Sequence, residues 1–119
     1  MTVAKDTPLS LKTIERLVGI GRRSGGIRIG TRSSVDSIHR NQCRVLLVAR
    51  NASPRSKKHL RREAAGIPVI MVDSDEILGS WIGMNAVAAI AVVNRNLASG
   101  ILKHMPSPSM ELTDSSDTS

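Results

Sequence analysis

Val45-Leu46-Leu47-Val48 sets four large aliphatic side chains in a row, and Ala49 follows them with no polar residue between. A strand with one wet face alternates apolar and polar residues. An unbroken apolar run, here within Cys43 to Ala49, instead predicts a central strand covered on both faces. Two further segments read as strands around it: Pro68-Val69-Ile70-Met71-Val72, and Ala86 to Val93, which is lined with small residues that let a helix approach closely. Patterns of helical period lie between them, so the class is α/β with alternating helices and strands, while strand order stays open. With 119 residues the chain suits one domain with a single core and needs no disulfide.

The helices are marked by their ends. Thr7 with Pro8 following, or Ser10, would cap a first helix running to about Arg23, with Leu11, Ile14, Leu17, Val18 and Gly21 on one face. Arg22 and Arg23 occupy its last turn, where cations suit the helix dipole, and Gly25-Gly26 stops it. Gly19 and Gly21 resemble part of a dinucleotide fingerprint. The third glycine position is Ser24, however, and the stretch lies within a helix, so close packing is the better reading. Ser53 and Pro54 start a helix to about Ala65 in which only Leu60, Ala64 and Ala65 can pack; its Arg55, Lys57, Lys58, Arg61 and Arg62 face solvent or touch phosphate. Asp73-Ser74 start a short helix with Ile77, Leu78 and Trp81, which Gly83 ends, and Asn94 caps a last one.

The stretch Ile27 to Ile38 carries the most functional promise. A short strand, Ile27-Arg28-Ile29, runs through Gly30-Thr31 directly into residues with helical spacing, Val35 and Ile38. The start of such a helix offers free N–H groups and partial positive charge. With Arg32 beside them, these suit a phosphate or a base edge, unless Thr31 merely caps the helix through its hydroxyl.

Charge points the same way. Residues 1 to 66 hold 15 Lys/Arg against 4 Asp/Glu, a balance of +11, and residues 67 to 119 hold 2 against 6, a balance of −4, giving the net +7. A polyanion should sit on the basic half, and arginine matches phosphate and guanine edges by paired hydrogen bonds. Trp81 is the single aromatic residue of the Phe/Tyr/Trp type, which rules out binding of single strands on stacked aromatic platforms. A nucleic acid would instead be read as a folded shape, through helix ends, backbone amides and arginines.

Catalytic material is thin. His39, His59 and His104 stand apart from any Cys or carboxylate at metal-ligand spacing, and no phosphate-binding loop or nucleophile elbow occurs. Asp73, Asp75 and Glu76 crowd a helix start, where the dipole explains them. No enzyme activity, metal or cofactor is expected. The lone Cys43 is a small buried residue, and with no charged and apolar leader the setting is expected to be cytoplasmic. The longest apolar run, Ala86 to Val93, falls far short of the roughly 20 residues of a membrane span.

In order, the stretches Leu17-Val18-Gly19-Ile20-Gly21-Arg22-Arg23-Ser24-Gly25, Ile29-Gly30-Thr31-Arg32, Val45 to Pro54, Gly66-Ile67-Pro68-Val69, Leu78-Gly79, Gly83 and Ala88 to Val93 resemble the kink-turn-binding ribosomal protein family of the L-seven-Ae and L-thirty-e type. They are similar above all to its small bacterial YlxQ- and YbxF-like members. The resemblance spans about residues 10 to 103. It implies a three-layer α/β/α sandwich with a four-stranded mixed sheet, and binding of RNA kink-turns, sharply bent helices flanked by tandem G·A pairs; separately, the chain is expected to be a monomer.

The family's contacts come from the Gly-Thr turn, the first turn of the next helix and the loop before the last strand. Carried over, these are Gly30, Thr31, Arg32 and Ser33, and Met84, Asn85 and Ala86 in a loop about one residue shorter than usual, with Arg22, Arg23, Arg28 and Arg50 adding less specific charge. Where the family commonly has Gln or Asn-Glu and then Lys, this chain has Ser33, Ser34 and Asp36, and an acidic residue there repels phosphate. Two functions lead, a non-enzymatic, ribosome-associated RNA-binding protein or a protein-interaction module that has lost kink-turn recognition, and a third, weaker reading is an enzyme domain or the substrate-binding part of an RNA-modifying enzyme. Residues 1 to 9 are expected to be a flexible N-terminus and residues 104 to 119 a disordered acidic tail.

Overall fold

The computed structural model describes residues 9–104. In chain order these form α1 (Leu9–Ser24), β1 (Ile27–Ile29), α2 (Thr31–His39), β2 (Val45–Ala49), α3 (Pro54–Glu63), β3 (Val69–Val72), α4 (Asp75–Ser80), β4 (Ala89–Val92) and α5 (Arg95–Lys103). The four strands lie in the order β1-β4-β2-β3, with β4 antiparallel to both its neighbours and β2 parallel to β3, so the sheet is mixed.

β2 is buried at every position, as its unbroken apolar run requires. Its alternate residues enter separate cores. Val45, Leu47 and Ala49 pack with Ile90 and Val92 of β4 against Ile14 and Val18 of α1, Leu78 of α4, and Ala98 and Ile101 of α5. Leu46 and Val48 pack with Ala89 and Ala91 against Val35 of α2 and Leu60 and Ala64 of α3. Helices thus cover both faces, giving three α/β/α layers. Each wholly buried leucine of β2 contributes about 1.5–3 kcal/mol by leaving water. Trp81, half-buried, packs against the larger core.

The second layer is built for close approach. Ala89 and Ala91 present only methyl groups on that face of β4, and α2 meets the layer with buried Ser34, Val35 and Ser37. Ser37 donates its hydroxyl to the Ser34 carbonyl at 2.7 Å. The Ser34 hydroxyl oxygen, fully buried, has no hydrogen-bond partner. Gly21 packs α1 tightly: a Cβ there would lie 2.7 Å from Ile27 and 3.1 Å from Leu97.

Three sequence expectations are corrected. Ser10 lies inside α1 and is not its cap; the competing Thr7-Pro8 start lies outside the described residues. β4 begins at Ala89, three residues later than its apolar run, because the Val87 N–H turns away to the Asp75 carbonyl at 2.9 Å. Hydropathy cannot separate the strand from its buried approach. Thr31 is not the α2 cap; that position belongs to Gly30, and no side chain closes the helix.

Candidate functional site

The register gathers Gly30 to Ser33, Arg50 and Met84 to Ala86 at one end of the sheet, while Arg28 sits within β1 opposite Ala91, and Arg22 and Arg23 precede β1, which starts at the opposite end. Ile29 pairs with Ile90, Val48 with Ala89 and Ala49 with Val72, so β1, β2 and β3 all leave the sheet where β4 enters it. Four connections meet there: Gly30 into α2, Arg50 to Ser53 into α3, Asp73-Ser74 into α4, and residues 81–88 into β4. The Gly30 N–H donates to the Ala89 carbonyl at 2.8 Å and the Ala49 N–H to the Ala88 carbonyl at 2.9 Å, which ties three of these connections together.

The helix starts at this end are unequal. Ser53 accepts from the Ser56 N–H and Ser74 from the Ile77 N–H, each at 3.1 Å, so α3 and α4 are closed by hydroxyl caps. At the far end of the sheet Asn94 caps α5 at 2.9 Å. α2 alone among these four has no side-chain cap. Its first N–H groups and the positive end of its dipole are left for an outside acceptor. Thr31 beside them is half-buried, while Arg32 and Ser33 are exposed.

Asp36, one turn on, is not a free negative charge, because Arg40 holds it at 3.0 Å across one helical turn. At the end of α2 the His39 Nε2 lies 2.7 Å from Glu63 Oε1, and this hydrogen bond holds the Glu63 carboxyl below the usual range. The pair ties α2 to α3.

The supporting arginines divide. Arg22 donates to the Ile82 carbonyl and so fastens α1 to the connection that carries Met84, Asn85 and Ala86. Arg28 folds back on the Gly25 and Ile27 carbonyls at 3.1 and 3.0 Å. Arg50 pairs with Asp73 at 3.5 Å. Arg23 and Arg32 are exposed and make no ion pair or hydrogen bond among the described residues. A composition-based reading counts all these cations as available charge. Partner geometry is needed to see that Arg22 and Arg28 serve the backbone.

Met84, Asn85 and Ala86 are exposed, with Met84 at 42%. Their path depends on Gly79, whose Cβ position lies 2.8 Å from the Met84 carbonyl and 2.9 Å from the Ala86 backbone, so only glycine lets the connection pass this close to α4. Nucleophilic chemistry has little support here. Burial pushes the Cys43 thiol up, which keeps it protonated, and no three His, Cys, Asp or Glu side chains among the described residues could hold a metal together. No helix of the described residues is long and apolar enough to cross a membrane.

Thr31, at the start of α2, shares a cleft of about 450 Å³ with Arg55, Ser56, Lys58, His59 and Arg62 of α3. The i, i+3, i+4, i+7 spacing of the four basic side chains was visible in the sequence; that α2 lies beside them was not.

Solved structures share the fold, among them the following two. A protein of unknown function from Bacillus halodurans aligns with a TM-score of 0.72 and 22% identity, over 76% of this chain and 94% of that one. The Giardia lamblia 15.5kD RNA binding protein aligns with a TM-score of 0.73 and 16% identity, over 85% of this chain and 88% of that one. The model of the ribosomal protein L7Ae/L30e/S12e/Gadd45 family matches residues 12–102, which takes in every helix and strand of the sandwich but the first turn of α1 and the final residue of α5, and the chain belongs to that family.

Proposed function

We propose that this chain is a non-enzymatic RNA-binding protein that recognises a kink-turn or a similarly bent RNA, as part of the ribosome or another ribonucleoprotein particle in the cytoplasm. The observation that carries the reading is the uncapped start of α2, set at the same end of the sheet as the exposed Met84-Asn85-Ala86 connection. Family membership and the fold shared with an RNA-binding protein support it. Gly30 lets the backbone approach the ligand, the first amides of α2 and the Thr31 hydroxyl donate to phosphate, and Arg32 reaches a base edge or phosphate. A protein that prefers the bent form stabilises it by binding, with no chemical step.

The test is a calorimetric titration against a standard kink-turn and an unkinked duplex of the same composition. The wild type is expected to prefer the kink-turn. Arg32→Ala should reduce that preference by about 1–3 kcal/mol, the usual loss for a base-reading arginine. Arg61→Ala, an equal charge change on exposed α3, should weaken both RNAs alike. Indistinguishable effects of the two variants would remove Gly30-Thr31-Arg32 as the site, and equal affinity of the wild type for both RNAs would favour the protein-interaction module.

A further inference from the structure

We propose that the cleft between the start of α2 and the basic face of α3 is a second contact site, one that holds backbone phosphates of an RNA stem continuing from the bend. The inference rests on the RNA-binding reading above and extends it beyond the Gly30 turn. Arg55, Lys58, His59 and Arg62 recur at i, i+3, i+4 and i+7 and so form one stripe, about 10 Å long at 1.5 Å per residue. That length exceeds the spacing of neighbouring phosphates along a strand.

A merely solvated helix face interleaves acids with its bases, because like charges one turn apart repel. α3 contains no acid before Glu63, and that residue is engaged by His39 of α2. The other carboxylate of this pair of helices, Asp36, is engaged by Arg40. Arg55, Lys58, His59 and Arg62 form no ion pair or hydrogen bond among the described residues. Glu63 offsets part of this charge through its neighbours His59 and Arg62 while its hydrogen bond goes to His39, so the cleft still gathers more cationic than anionic groups, an arrangement relieved by an outside polyanion.

The lining identifies the polyanion. Thr31, Arg55, Ser56, Lys58, His59 and Arg62 are all polar, with no apolar side chain to anchor a peptide. Charge and hydrogen-bond donors without an apolar anchor suit a phosphodiester strand read without regard to sequence. Thr31 belongs both to this cleft and to the α2 start, so one strand can run across both.

The test compares two double variants with equal loss of charge in the full chain: Arg55→Ala with Arg62→Ala in the cleft, and Arg16→Ala with Lys103→Ala on exposed positions of α1 and α5 in the opposite layer. Affinity for the kink-turn and for the unkinked duplex is measured across a salt series, after urea unfolding has verified that both variants fold. The cleft pair should flatten the slope of log K against log salt by about 1.5, since each lost phosphate contact removes somewhat under one unit, and should leave the ratio between the two RNAs unchanged. The opposite-layer pair should leave the slope near that of wild type.

Equal flattening by both pairs overturns the cleft while leaving any kink preference intact. Absent kink preference with a flattened duplex slope in the cleft pair alone overturns the reading of bent RNA and keeps the cleft. A wild type that binds neither RNA overturns both. Polyglutamate that binds as tightly as the duplex, and loses affinity in the cleft pair, would assign the cleft to acidic protein and overturn the RNA proposal.

Discussion

Gly30 carries φ 96° and ψ 163°, a backbone region open almost only to glycine, and it does so between a strand and a helix with no intervening loop. A Cβ at this position would meet nothing within 4 Å, so space is not what demands glycine. The dihedral angles demand it. Gly30→Ala should therefore cost about 1–3 kcal/mol in backbone strain alone, read as a lower urea midpoint with unchanged slope. A midpoint equal to wild type would show that the turn relaxes to an ordinary conformation, and kink-turn affinity should then change instead. The residue type was legible in the sequence as a punctuation mark between strand and helix, whereas its role as the helix cap was not. Thr31 follows the rule for a capping residue by type, but the sharp turn through Gly30 places it one residue inside the helix, where its hydroxyl no longer faces the first amides in capping geometry.

At the scale of elements, the candidate site depends on α4 as much as on α2. α4 is only Asp75–Ser80, and Gly79 near its end is buried beneath the Met84 to Ala86 backbone. Its Ser74 cap is joined by Asn51, which accepts from the Asp75 N–H at 2.8 Å and donates to the Asp75 carboxylate at 3.1 Å, so the β2–α3 connection fixes where α4 starts. Gly79→Ala would press a methyl group against three backbone atoms and should cost about 1–3 kcal/mol by overpacking while pushing the connection outward. If that connection contacts RNA, kink-turn affinity falls along with stability; a stability loss at constant affinity would confine recognition to α2. The helices and strands themselves were readable because caps and hydropathy agree over most of the chain: Ser53-Pro54, Ser74 and Asn94 all stand where a helix starts. The β4 boundary was not, since Val87 is buried like a strand residue while its N–H goes to Asp75. The neighbourhood of α2 and α3 that builds the cleft depends on sheet order, which no local pattern contains.

Over the whole molecule, the fold divides the basic half of the sequence between two layers. Lys12, Arg16, Arg22 and Arg23 go with α1 to one face of the sheet, while Arg32 and the five cations of α3 go to the other. Charge counted along the chain therefore points to a polyanion without saying which face meets it. α5 ends at Lys103, and the family match ends at residue 102. On that basis we propose that the folded unit ends with α5 and that the segment after His104 adds nothing to the core. Truncation after His104 removes Glu111, Asp114 and Asp117 and no Lys or Arg, which takes the net charge from +7 to +10. The urea midpoint should stay within the equivalent of about 0.5 kcal/mol of wild type, as for surface changes that touch no packed group. RNA affinity should be unchanged at high salt and tighter at low salt, where three fewer acids compete with phosphate for the cationic surface. A midpoint lowered by the truncation would show that the segment docks on the body. An affinity that falls at every salt concentration would place RNA contacts beyond the family fold.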